Sequence, residues 1–185
     1  MTVARRKAPH AQRGKAEINP HDALVLLTAE HNEIDKLARE FERLRKAADT
    51  VDKGKAALRL CHALERYAAI KHEVFYPAAD AVLAGEGKEL LGESQVKHDG
   101  IQDLIEKVEN TSADDPSFEA TVTVLAEQAG RLMKQEEGEL FPRLRHSRLD
   151  LLGTGERMAA RKAELGTCPI DRERVRQARK VMSGR

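Results

Sequence analysis

The sequence predicts an all-α fold, an antiparallel up-down-up-down four-helix bundle followed by short C-terminal helices. Three observations point there. Leu, Ala, Glu, Lys and Arg dominate the chain of 185 residues, and these residue types favour helices over strands. Four stretches carry apolar residues at alternating steps of three and four, the period of one helical face. Turn chemistry separates the stretches at Asp49–Asp52, Gly85–Gly87 and Thr111–Pro116, and loops this short join antiparallel neighbours.

The elements follow in order. Residues 1–19 lack hydrophobic periodicity, contain Pro9 and Gly14, and read as a flexible basic arm. Asn19 is placed to cap a helix that Pro20 opens. The first stripe is Leu24, Leu27, His31, Ile34, Ala38 and Phe41. The second is Ala57, Leu60, Leu64, Tyr67, Lys71 and Val74. The third is Leu91, Ser94, His98, Ile101, Ile105 and Val108. The fourth is Phe118, Val122, Leu125, Ala129, Leu132, Glu136 and Leu140. Pro77 and Pro142, near the ends of the second and fourth, are expected to kink or terminate those helices. The bundle therefore spans residues 20–148. Residues 149–185 form a basic tail with two short helical stretches, 149–166 and 170–182, parted by Gly166 and Pro169.

Composition excludes several classes. Hydrophobic residues make up 41% and charged residues 34%, a globular balance with no run near the roughly 20 apolar residues of a membrane span. No apolar stretch follows Arg5, Arg6 and Lys7, so no signal peptide is expected. Cys61 and Cys168 fit no zinc or redox spacing. These points predict a cytoplasmic protein that does not engage membranes. The net charge of +1 hides basic ends around an acidic middle. Solvated tails explain that distribution more simply than nucleic-acid binding, which needs basic residues clustered on one face. The partners expected are another protein or a second copy in a homodimer. No phosphate loop, nucleophile triad or pair of catalytic carboxylates is present, which favours a non-enzyme over an enzyme and leaves both open.

The four stretches form an internal repeat. The first and third share His-x-x-Ile-x-x-Leu: His31, Ile34, Leu37 and His98, Ile101, Leu104. The second and fourth end on Phe75-Tyr76-Pro77 and Leu140-Phe141-Pro142. Six residues before each proline stand Lys71 and Glu136, and ten before stand Tyr67 and Leu132. Two related helix pairs place corresponding residues around one axis.

His31, Tyr67, Lys71, His98 and Glu136 interrupt the apolar stripes and are predicted to point inward. Charged side chains rarely enter a core unless paired or bound to metal, and a layer of histidines and carboxylates is how helical bundles hold two irons. The segments HEVFYPAAD, VKHDGI and QEEGELFPRLR resemble the hemerythrin-like (HHE cation-binding) family over roughly residues 22–148. The ERMAARKAEL stretch beyond is similar to the tail of bacterial members.

The resemblance implies a di-iron centre held by a lone His on the first and third helices and by His-x-x-x-Glu on the second and fourth. His31 and His98 match the lone histidines, and Glu136 matches the fourth-helix Glu. Tyr67 stands where the second-helix His is expected, Lys71 where its Glu is expected, and Leu132 where the fourth-helix His is expected. An intact di-iron site is therefore not expected.

The main expectation is that no cofactor binds. Lys71 would replace the metal charge opposite Glu136, with Tyr67 and both histidines completing a hydrogen-bonded cluster, in an interaction or regulatory protein. The alternative keeps one metal on His31, His98 and Glu136, a set suited to iron(II), zinc or manganese. The family's activities would then imply handling of oxygen, peroxide or nitric oxide. His72 and Glu73 lie off the stripe and are expected at the rim. His62 reads as a surface or boundary residue, and Cys61 as a small core hydrophobe. His10, His21 and His146 fit no ligand set.

Overall fold

The computed structural model describes residues 19–46 and 50–167, and these are helical, with no strand among the described residues. The first helix, α1, spans Ala23–Arg45. The second is a composite rod: α2 (Thr50–Ile70), a π-helical turn π1 (Lys71–Phe75) and α3 (Tyr76–Asp80). The third is α4 (Glu86–Glu109). The fourth repeats the composite form as α5 (Phe118–Gln135), π2 (Glu136–Leu140) and α6 (Phe141–Arg145). A last helix, α7, spans Leu151–Thr167. The arm through residue 18, with His10, lies outside the described residues, as do Cys168 and the 170–182 stretch.

Neighbouring rods run in opposite directions, because partner numbers rise along one as they fall along the other. Glu30 meets Arg66 and Glu40 meets Arg59 between α1 and α2. Glu86 meets Arg143 and Lys97 meets Gln135 between α4 and the fourth rod. His31 meets Glu137 and Glu42 meets Thr123 across the first and fourth rods. The inward stripes meet in one core that includes Leu27, Phe41, Leu60, Leu91, Leu125 and Leu140, each at most 2% exposed.

Two details depart from the sequence expectation. The cap of α1 is Asp22, not Asn19. Its carboxylate accepts from the backbone N–H groups of Leu24 and Val25, at 2.8 and 3.4 Å. Asn19 instead accepts from His21 N–H at 2.9 Å and closes a turn that carries Pro20 outside the helix. The prolines, moreover, neither end their rods nor act at their own positions. A proline lacks an N–H and its ring crowds the carbonyl four residues earlier. The chain answers upstream with a wider turn, in which Tyr76 N–H bonds Lys71 C=O and Phe141 N–H bonds Glu136 C=O. Helix then continues to Asp80 and Arg145.

Each π turn adds one residue to the circuit and slides the buried stripe by one position. Phe75 and Tyr76 are fully buried, while Val74, the expected stripe residue, is only half-buried.

Helix α7 packs on α1, α2 and π1. It buries Thr154, Met158 and Leu165, and Arg161 forks onto both oxygens of Glu73 at 2.7 and 3.0 Å. Lys162 pairs with Glu30. Gly155 permits this docking, since a Cβ there would lie 1.8 Å from the His21 carbonyl oxygen.

Candidate functional site

The polar layer lies where the two π turns face each other across the bundle. His31, Tyr67, Lys71, His98 and Glu136 are all buried, none more than 4% exposed. Lys71 and Glu136 are the first residues of π1 and π2. Lys71 Nζ donates to Glu136 Oε1. Ser94 Oγ donates to the same oxygen, and Tyr76 Oη is 3.1 Å from Ser94 Oγ. Tyr67 Oη donates to the other oxygen, Oε2, at 2.7 Å. Both carboxylate oxygens of Glu136 thus hold donors, as a buried anion requires.

The Lys71 ammonium also lies among aromatic rings, 4.7 Å from the centroid of Tyr76, 4.9 Å from Tyr67 and 5.9 Å from Phe75. Ring faces attract a desolvated cation. Burial still draws Lys71 down from the ordinary lysine value, and Glu136 restores part of the loss. At Glu136, burial alone pushes the carboxyl up. The Lys71 ammonium and the His31 imidazole together outweigh it and hold Glu136 well below the usual carboxylate range. Tyr67 and Tyr76 are raised well above the ordinary phenol value, by burial first and by the Glu136 charge second. Both hydroxyls therefore keep their protons.

His31 joins the layer to the outside. Its Nε2 is 2.6 Å from Tyr67 Oη, and its Nδ1 is 2.6 Å from a carboxylate oxygen of Glu137, whose side chain is 43% exposed. Tyr67 already donates to Glu136, so its oxygen accepts from Nε2. A carboxylate only accepts, so Nδ1 donates too. Both ring nitrogens are thus engaged in hydrogen bonds.

His98 lies beside this chain. Its ring packs 5.4 Å from Tyr67 and 5.4 Å from His72. The Tyr67 ring lies 5.4 Å from His31 as well, so one aromatic ring contacts both histidines. His72, expected at the rim, is 3% exposed, because the π turn brings two consecutive residues inward. Glu73 is half-buried and is held by Arg161 from α7. His62, His21 and His146 are exposed, and Cys61 is buried in the core. Sequence reasoning did not single out Ser94, Tyr76 or Glu137 for the layer. Ser94 carried a signal as the one serine on an apolar stripe. Glu137 carried none, being an ordinary surface glutamate in the sequence.

The family model of the hemerythrin HHE cation binding domain matches residues 22–144. The chain belongs to this family. No curated protein and no solved structure matches it. The match ends before Leu151, the first residue of α7.

The resemblance attaches two irons to this layer, and the residues present do not fit them. Leu132, at a ligand position, offers no lone pair. Lys71, at another, directs an ammonium at Glu136, and an ammonium repels a metal cation. The imidazole nitrogens of His31 are both engaged as donors, whereas a metal ligand needs a free ring nitrogen. Glu136 has three donors on two oxygens. In the smaller set of His31, His98 and Glu136, His31 Nε2 lies 3.4 Å from Glu136 Oε2, and the His98 ring lies against Tyr67.

Proposed function

We propose that this chain is a hemerythrin-like domain that works without a di-iron centre, as an interaction or regulatory protein rather than an oxygen-handling enzyme. One observation carries the reading: the Lys71 ammonium, fully buried, bonds Glu136, the acidic residue kept at a ligand position of the family. A cation supplied by the chain itself takes the electrostatic part that iron plays in the layer.

Two grooves lie on the outside, between α1 and α5 and between α1 and α6. No helix among the described residues is long and apolar enough to cross a membrane. The partner is most simply another protein or a second copy.

The test is the iron content of protein purified without chelators, read with its absorption spectrum. The expected outcome is less than stoichiometric iron and no oxo-to-iron band. Two irons per chain with that band overturn the reading and restore the oxygen, peroxide or nitric oxide chemistry of the alternative.

A further inference from the structure

A second group of metal-ligating side chains lies away from the core layer, on the neighbouring helices α2 and α4. His62 and Glu65 are one turn apart on α2, on one face. Glu109 is the last residue of α4. One imidazole nitrogen and one carboxylate oxygen from each Glu lie within 4.8 Å of one another. Ligands about 2.1 Å from a tetrahedral cation stand roughly 3.4 Å apart. The remaining closure is at most about 1.4 Å, within the reach of side-chain rotation at exposed His62 and half-buried Glu109.

We infer that His62, Glu65 and Glu109 form a divalent-cation site of zinc-class chemistry, with solvent completing the coordination. Glu65 is 6% exposed, Glu109 is half-buried and His62 is exposed. The site thus has a buried anchor, a second carboxylate across the helix boundary and an open side. Imidazole and carboxylate ligands together suit zinc, manganese and iron(II). The backbone adds to the attraction. Glu109 ends α4, where the last carbonyls carry partial negative charge, so a cation is favoured there and a further anion is not. The site is separate from the layer, since His62 is nine residues from Lys71, or about 13 Å along the helix. An ion held there links α2 to α4 and stabilises the folded chain by mass action.

The experiment titrates the full chain, stripped with chelator, with zinc alone and with cobalt(II) alone, by calorimetry and by cobalt absorption. The expected result is one ion per chain, a raised melting temperature with zinc, and at least tenfold weaker binding in His62→Ala and in Glu109→Gln. His62 is exposed, so its variant tests binding without disturbing the core. The Lys71→Leu, Glu136→Leu variant should bind the same single ion. No binding at millimolar metal overturns the proposal, as does binding unchanged in His62→Ala, or binding lost in the core variant but kept in His62→Ala. The proposal stands apart from the iron question, which is read by two irons and an oxo-to-iron band.

Discussion

The two halves of the bundle share a backbone device and differ in the charge placed on it. In both, a long helix widens into a π turn just before a proline, and the first residue of that turn points into the core. One half presents Lys71 there and the other Glu136. The next residue departs again. His72 is buried, whereas Glu137 reaches the surface while bonding His31. A repeated backbone holds corresponding positions close enough to bond, and opposite charges at those positions turn closeness into attraction. Two like carboxylates at the same places would need cations between them, which is the arrangement a di-iron centre uses.

The largest effect is expected from breaking the charge relation on one side. Lys71→Ala leaves Glu136 buried without its cation and should cost about 3–5 kcal/mol in urea denaturation. The paired change Lys71→Leu, Glu136→Leu should cost much less, because both charges leave together. Similar losses in single and double variants would show that the pairing is not what matters. The exchange Lys71→Glu, Glu136→Lys sharpens the comparison further. If the halves are equivalent, the double swap should be more stable than the two single changes predict, by a coupling of about 1–3 kcal/mol.

Next comes the dependence on pH. The folded Glu136 carboxyl lies below its unfolded value, which is about 4.3. Its stabilisation is therefore present in full above that pH, and is lost as pH falls toward the folded value. Denaturation midpoints of the parent chain should drop on going from about pH 6 to pH 3. The Lys71→Leu, Glu136→Leu variant should lose this part of the slope. Equal slopes in the two proteins would remove Glu136 as its source.

Smaller effects belong to α7. Gly155→Ala forces a Cβ against the His21 carbonyl and should shift α7 at a cost of about 1–3 kcal/mol, seen as a lower melting temperature. Arg161→Ala removes a partly exposed fork on Glu73 and should cost about 1 kcal/mol or less.

Much of this fold was legible in the sequence because core packing and helix geometry share one period. Most stripe residues from Leu24 to Leu140 are buried, Ala38 and Val74 being half-buried. The inward positions of His31, Tyr67, Lys71, His98 and Glu136 follow from the same spacing. The π turns were not legible. A regular helical period carries no provision for an added residue, so Val74 was expected inside and His72 outside. Pro77 and Pro142 marked where the helix is disturbed but not how. The contacts of Ser94, Tyr76 and Glu137 depend on which hydroxyls and carboxylates meet between rods, and spacing within one helix does not encode that. The His62, Glu65 and Glu109 group escaped for the same reason, because Glu109 arrives from another helix.

The bonds from Glu137 through His31 and Tyr67 to Glu136 have a consequence in time rather than in energy. Protons inside most packed cores meet solvent only when the structure opens locally. Here an exposed carboxylate begins an unbroken line of donors and acceptors that ends at Lys71. Each proton has a neighbour to pass to. Deuterium is therefore expected to enter the layer with the helices still packed, which exchange at the His31 ring would show.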